Sequence, residues 1–375
     1  MSAIARTDRS VLGRWWWTVD RWTVGAILLI VLIGSLLILA ASPAVAERIG
    51  VDSFYFVRRQ FLILPVAVAV MIAVSMLSPQ QVRRLATVGL AGTIVLLALV
   101  PVIGTEIKGA VRWISIGGFS LQPSEFAKPF MAVVTAWMFA EWRRDPAFPG
   151  HLIAIGLYAL LVVLMLSQPD FGMTVMISVI WFGQFFLAGL PMIFVGGLAC
   201  LGAVGAMGAY LVFPHVASRV HRFLDPASGD TYQVDRSLEA FVNGGLLGTG
   251  PGEGTVKAYL PDAHADFIFS VAGEEFGGLA CLLIITLYAF VVLRGYAKLL
   301  SETSLFVLIA AAGLLTQIAL QALIHMASAV SLMPAKGMTL PFISYGGSSL
   351  IALAFAMGMA LALTRRRGTD REVLA

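Results

Sequence analysis

The sequence predicts an all-α polytopic integral membrane protein, one domain over residues 1–375 with ten transmembrane helices and a large outer loop between the seventh and eighth. Three observations carry this prediction. The chain is 59% hydrophobic and 12% charged, whereas a soluble domain carries about 25% charged residues. Its apolar residues fall into ten runs, each near the roughly 20 residues that a helix needs to cross the hydrocarbon core. Its basic residues collect in alternate connections, the asymmetry that sets membrane orientation.

In chain order the runs cover 22–42, 57–77, 85–103, 123–141, 151–168, 171–189, 191–213, 276–297, 304–327 and 345–364. Ahead of the first, Arg14 to Arg21 followed by an apolar run and Ala44-Val45-Ala46 resembles a secretory signal with its cleavage site. The run from Thr23 to Ala41 exceeds the roughly 7–15 residues of a signal core, so it is read as a retained span. Residues 1–21 and 365–375 are then terminal tails, and 214–275 is the large loop. The fifth, sixth and seventh runs nearly merge, and Gln168-Pro169-Asp170 and Gly189-Leu190-Pro191 divide them, since proline and glycine break helices.

Ten spans bring both termini to one side. That side collects Arg6, Arg9, Arg14, Arg21, Arg83, Arg84, Arg143, Arg144, Arg294, Lys298, Arg365, Arg366, Arg367 and Arg371, which makes it cytoplasmic. Arg58 and Arg59 fall on the opposite side as exceptions, and Trp15-Trp16-Trp17 sits at the cytoplasmic interface as an aromatic belt. A net charge of +4 spread over short loops implies no nucleic-acid surface. Cys200 and Cys281 lie inside apolar runs and read as packing residues, not as a disulfide.

Four polar segments face the outer side. In the first, Lys108 to Lys128, Glu125 and Lys128 are three apart and can pair on one helix face. Equally, Pro123-Ser124-Glu125 can cap the fourth span, with Glu125 at its positive end. In the second, Gln168 to Gly172, the favoured reading is a turn with Asp170 capping the next helix. The third is the central stretch from Tyr232 to Gly277, with glycines at 244, 245, 248, 250, 252 and 254. It lacks the G-x-x-x-x-G-K-[ST] pattern of a nucleotide loop, which leaves flexible turns or backbone amides that hold a lipid-linked phosphate.

The central stretch ends in Pro261 to Phe269, where a helix starting after Asp266 would put Asp266, Ser270 and Glu274 in a row. Apolar neighbours Phe267 and Phe269 suit a carboxylate to act as a base. The residues alone leave Asp262, Asp266, Glu274 and Glu275 open as candidates, and Asp266 as a plain N-cap is the bland alternative. The fourth segment, Met333 to Ser349, carries Lys336, either snorkelling to headgroups or meeting lipid phosphates.

Together these segments resemble the SEDS family (shape, elongation, division and sporulation) of membrane peptidoglycan glycosyltransferases. The pieces that carry the resemblance are RWISIGGFSLQPSEFAK, QPDFG, GGLLGTGPGEG with LPDAHADFIFSVAGEEFG, and PAKGMTLPFISYGGSS, in order from Arg112 to Ser349. Lys336-Gly337-Met338-Thr339 is similar to the division branch, FtsW, and not to the elongation branch, RodA. The resemblance implies that Asp266 is the catalytic acidic residue of a periplasmic loop, and that Arg112, Glu125, Lys128 and Lys336 bind substrate. The sequence departs from the family at Ala265 and Ala335, where threonine is frequent, and at His325, where asparagine is common.

The implied substrate is lipid II, a disaccharide-pentapeptide on undecaprenyl pyrophosphate. A chain with no nucleotide loop needs a substrate already activated and already in the membrane, and a sugar diphosphate supplies both. The resemblance further implies a bacterial inner-membrane protein of the division septum. Its expected partners are a class B penicillin-binding transpeptidase and periplasmic divisome regulators. No metal-ligand cluster appears in the sequence, so a divalent cation, Mg or Mn, is expected only with the substrate pyrophosphate. A lipid II flippase and a non-catalytic divisome scaffold are the competing expectations.

Overall fold

A computed structural model describes residues 10–107, 110–189, 192–212, 216–218, 220–221, 225, 231–334 and 337–366. Each of the ten apolar runs overlaps a helix. In order these are α2 (Arg21–Arg48), α3 (Tyr55–Ser75), α4 (Pro79–Ile103), α5 (Pro123–Arg144), α6 (Gly150–Leu166), α7 (Phe171–Leu187), α8 (Met192–Val212), α10 (Ile268–Leu299), α11 (Leu305–Ala329) and α12 (Gly347–Leu363). Among the described residues, α2, α3, α4, α10 and α11 are long and apolar enough to cross a membrane, while α6, α7 and α12 are apolar but shorter. The chain is a mostly helical, multi-pass membrane protein.

Local sequence explains where the helices start and bend. Ser78 accepts from the Gln81 amide while Gln81 answers to the Ser78 amide, with Pro79 in the first turn, so α4 opens on a reciprocal cap. Ser304 caps α11 in the simpler way, accepting from the Val307 amide. Gly277 interrupts α10 at φ 78, a conformation that only glycine adopts without strain. The Gly277 break separates a short helix, 268–276, from the longer membrane segment and gives the short piece its own direction.

Helices α5, α11 and α12 form the centre. Most of α5 is buried, from Pro123 to Phe139, and α11 and α12 bury most of their length against it and against α3. Glycine, alanine and serine are frequent in α12, which lets its backbone approach its neighbours closely. Outward-facing residues such as Leu62, Val88, Leu293 and Leu300 remain exposed, as expected where lipid and not water is the surroundings.

The structure corrects the all-α expectation in one loop and adds a helix to the N-terminal tail. The chain is not purely helical, because β1 (Thr105–Ile107), β2 (Ala110–Ile116) and β3 (Phe119–Leu121) make an antiparallel sheet in the order β1-β2-β3. Alternating β-branched and aromatic residues in Ala-Val-Arg-Trp-Ile-Ser-Ile favour a strand, and Gly117-Gly118 turn it with positive φ. The N-terminal tail contains α1 (Val11–Thr18). Its Trp15 is buried and donates Nε1–H to Ser75 Oγ at 2.8 Å, while Trp16 and Trp17 lie under the Arg21 guanidinium. Residues 1–9 and 367–375 of the tails lie outside the described residues.

Candidate active site

The first turns of α3, α5, α7 and α12 meet at one end of the bundle. Between them, the sheet and the 264–266 turn lies a cavity of about 1020 Å³. Its polar lining includes Arg59, Arg112, Glu125, Asp170 and Asp266, and its apolar walls come from α3, α7 and α12. Lys336 lies outside the described residues, but Gly337 lines the cavity.

Asp266 belongs to a tight turn, not to a helix. The Ala265 and Asp266 amides both donate to the Asp262 carbonyl at 2.9 Å, and α10 begins only at Ile268 with Phe267 at its cap position. The expected row of Asp266, Ser270 and Glu274 therefore does not form. Ser270 Oγ bonds Ser237 Oγ at 2.6 Å, on the side of α9 (Tyr232–Gly244), and Glu274 faces the glycine-rich stretch.

The segment before α12 straps this turn in place. Ser344 Oγ donates to the Ala265 carbonyl at 2.7 Å, the Leu340 amide donates to Ser344 Oγ at 2.7 Å, and the Tyr345 amide donates to the His264 carbonyl at 2.9 Å. Phe56 lies tilted against the His264 ring, centroids 4.0 Å apart, and meets the Tyr345 ring edge to face at 5.1 Å. Gly337, at φ +62, packs so close that a Cβ there would stand 3.2 Å from Asp266 Oδ2. At Ala265 and His325, positions where the sequence departs from the family pattern, backbone contacts dominate, since His325 Nδ1 meets the Met338 carbonyl at 2.6 Å.

Glu125 and Lys128 form an ion pair, Nζ to Oε2 2.7 Å, with both side chains buried. Lys128 also donates to Gln321 Oε1 at 3.1 Å, and Gln321 continues to Thr339, which bonds Ser349 at the cavity wall. The pair is held by charge without hydrogen-bond alignment at Oε2, so that buried oxygen, on a residue lining the cavity, has no hydrogen-bond donor in the protein. No side-chain cap bond forms, since Gln122 takes the cap position, but Glu125 does sit in the first turn at the positive end of α5. Helix α5 passes through Pro129 without breaking.

Asp170 takes the N-cap position of α7, as expected, but makes no side-chain cap bond there. Its carboxylate instead accepts from Ser124 Oγ at 3.0 Å and faces Arg112 at 3.9 Å. Burial pushes the Asp170 carboxyl above its ordinary range, against the opposing pull of the Arg112 charge and the Ser124 hydroxyl. Arg112 also donates to the Gln168 carbonyl at 3.0 Å and to the Pro169 carbonyl at 2.5 Å, which fixes its guanidinium at the rim.

The glycine-rich stretch closes on carboxylates and not on an outside phosphate. The Val256 and Lys257 amides donate to Glu274 at 2.7 and 2.8 Å, and the Gly252 amide donates to Glu275 at 2.6 Å. Asn243 adds a bond to Glu274 at 2.9 Å, and the Lys257 ammonium pairs with Glu275. Glu274 and Glu275 are buried in this clamp and do not line the cavity, whereas Asp266 does. Asp262 likewise lies outside that cavity. Sequence reasoning missed Arg59, whose guanidinium sits 4.6 Å over the Tyr55 ring at the cavity wall. Its place against the positive-inside rule was the available signal.

Among the described residues no group of three or more His, Cys, Asp or Glu is set to hold a metal ion. Of the carboxylates in the cavity, Asp170 is engaged with Ser124 and Arg112, and Glu125 with Lys128.

A family model described as a cell cycle protein, covering the FtsW, RodA and SpoVE proteins, matches residues 21–368. The chain belongs to the FtsW/RodA/SpoVE family. It is 47% identical over 366 residues to the probable peptidoglycan glycosyltransferase FtsW of Caulobacter vibrioides, covering 97% of this chain and 94% of that one. It is 35% identical to the protein of the same name in Geobacter metallireducens, over 90% of this chain and 92% of the relative. Among solved structures it is similar to one described as the structural coordination of polymerization and crosslinking by a peptidoglycan synthase complex. That match has a TM-score of 0.75 and 27% identity over 92% of this chain and 97% of the other. The rod shape determining protein RodA of Thermus thermophilus matches with a TM-score of 0.66 and 26% identity, over 93% of this chain and 97% of RodA. The FtsW/RodA/SpoVE fold thus extends over nearly the whole chain.

Proposed function

We propose that this protein is a peptidoglycan glycosyltransferase of the division branch, that it polymerises lipid II for the septal wall, and that Asp266 is its base. One observation carries the site assignment: Asp266, Arg112 and Glu125, distant in sequence, line a single cavity whose other walls are apolar helix faces. Such a site accepts a polar head while its carrier tail stays along the bundle. Helices α2 to α8 and α10 to α12 are its ten spans, with the large periplasmic loop between α8 and α10. Arg83, Arg143, Arg144, Lys298, Arg365 and Arg366 lie at the opposite end from the cavity, and by the positive-inside rule that end and both termini are cytoplasmic.

In the reaction, the acceptor GlcNAc 4-hydroxyl attacks MurNAc C1 of the donor. Asp266 takes the hydroxyl proton, the new C1–O4 bond forms, and the C1–phosphate oxygen bond breaks with its electron pair on undecaprenyl pyrophosphate. A single displacement inverts the anomeric centre. Arg112 and Arg59 face the cavity as cations and stabilise the departing pyrophosphate, with Lys336 assigned the same role from the sequence. Glu125 lies in the cavity lining and helps to position the sugar, while Lys128 holds that buried carboxylate in place. A divalent cation would arrive with the pyrophosphate, and no step is derived through it. The partners are a class B penicillin-binding transpeptidase and periplasmic divisome regulators. Transporters hold their charges near mid-membrane depth; here the charged groups of the cavity sit at one end of the bundle, which favours transfer over flipping.

Asp266→Asn keeps the shape and removes the base. Gel analysis of glycan from labelled lipid II, with the cognate transpeptidase present, is expected to show polymerisation reduced by about 10²–10⁴-fold, the usual worth of general-base catalysis. Wild-type glycan yield from a folded Asp266→Asn protein refutes the assignment.

A further inference from the structure

The end of the bundle opposite Asp266 holds a second large cleft, of about 1030 Å³, between the start of α4, the end of α5, the α10–α11 connection and the end of α12. Six basic side chains line it, Arg83, Arg143, Arg144, Lys298, Arg365 and Arg366, against two acidic ones, Glu141 and Glu302, and of the six Lys298 is paired with Asp20 at 3.0 Å. The acidic pair is already engaged. Glu302 accepts from the Ser304 amide at 2.9 Å, and Glu141 is shared by Arg83 at 3.6 Å, Arg144 at 3.5 Å and the Trp137 indole at 3.1 Å. Arg365 Nε is buried there without a hydrogen-bond partner. Burial and the neighbouring Arg14 charge push the Arg365 guanidinium below its ordinary value.

From these contacts we infer that the cleft is a binding site for the phosphate headgroup of an anionic membrane phospholipid. The depth fits a membrane lipid better than an acidic peptide. Trp137 lies beneath the Arg83 guanidinium at 5.3 Å, Trp142 flanks Arg143 at 5.7 Å, and the apolar residues Leu305 and Phe306 line the cleft itself. Tryptophans at this level mark the membrane interface, and Leu300, 90% exposed next to the cleft, offers a surface for an acyl chain. Basic pockets between helix ends on the cytoplasmic side are suited to anionic headgroups. The inference does not depend on the role of Asp266.

The test uses the full chain, purified in detergent and titrated with phosphatidylglycerol, phosphatidylcholine, inorganic phosphate or a glutamate-rich peptide, with bound molecules counted by native mass spectrometry. Phosphatidylglycerol is expected to bind saturably at concentrations at least tenfold below phosphatidylcholine. Arg144 and Arg366 are exposed, so Arg144→Gln with Arg366→Gln leaves the fold intact. At about 1 kcal/mol per basic residue near anionic lipid, each replacement weakens binding about fivefold and the pair about 25-fold. The Arg144→Lys, Arg366→Lys pair is expected to stay within about threefold of wild type. Equal binding of phosphatidylcholine, undiminished phosphatidylglycerol binding by the Gln pair, or displacement of the lipid by millimolar inorganic phosphate or by the peptide would each overturn the inference.

Discussion

Lys128→Met removes the positive half of a pair that has almost no water around it. The Lys128 side chain is 0% exposed and that of Glu125 4%, at 2.7 Å. Removing one member of a buried pair leaves the other charge uncompensated, at about 3–5 kcal/mol. Glu125→Gln strands the ammonium instead, with Gln321 Oε1 at 3.1 Å its remaining partner, and is expected to cost a similar amount. The double variant leaves no buried charge, so it should be destabilised by only about 1–2 kcal/mol, giving a coupling of several kcal/mol between the two positions. Denaturant titration in detergent reads this directly. Cys281 is buried, so its reactivity toward a thiol reagent reports unfolding once exposed Cys200 is replaced by serine. Single variants that lose less than about 1 kcal/mol, or losses that simply add, would show that the carboxyl is protonated or hydrated from the cavity and that the pair does not stabilise the fold.

Three further outcomes are expected. Glu274→Ala leaves the Val256 and Lys257 amides without their acceptor, each at about 1–3 kcal/mol; hydrogen exchange should speed up across 245–257 and not in α11, and unchanged exchange would discount the clamp. Gly337→Ala combines a positive φ with a Cβ 3.2 Å from Asp266 Oδ2, so glycan synthesis should drop at least tenfold for a stability loss of about 1–2 kcal/mol, and normal synthesis would argue against close packing there. Burial acts to raise the Asp20 carboxyl, but hydrogen bonds from Arg294, Lys298 and Thr23 outweigh it and hold it below the ordinary range. A depressed carboxyl stabilises the fold above its unfolded value, about 3.9, and that contribution fades as pH falls toward the folded value. Asp20→Asn should therefore cost about 2 kcal/mol at pH 7, with the gap to wild type narrowing below about pH 4; a gap independent of pH would remove the carboxylate from the account.

Each apolar run overlaps a helix among the described residues, because a helix in hydrocarbon must satisfy its backbone internally and keep its surface greasy along its whole length. That constraint is local and needs no knowledge of neighbours. The motif spacing from Arg112 to Ser349 likewise carried the family. Charge in alternate connections predicted an orientation, and Arg59, an exception to it, lines the cavity wall.

What the residues could not reveal was which polar groups meet. Asp262, Asp266, Glu274 and Glu275 look alike in a line of sequence, and only the fold separates them. The backbone amides of 252–257 converge on Glu274 and Glu275, and the strap through Gly337, Ser344 and Tyr345 turns Asp266 into the cavity. The Glu125–Lys128 pair was compatible with the spacing, but α11 supplies Gln321, 193 residues beyond Lys128, as its third member. The sheet at 105–121 and the bend at Gly277 were hidden for the same reason. Helix periodicity reports on burial along one axis, whereas a site depends on distances between axes, which packing alone fixes.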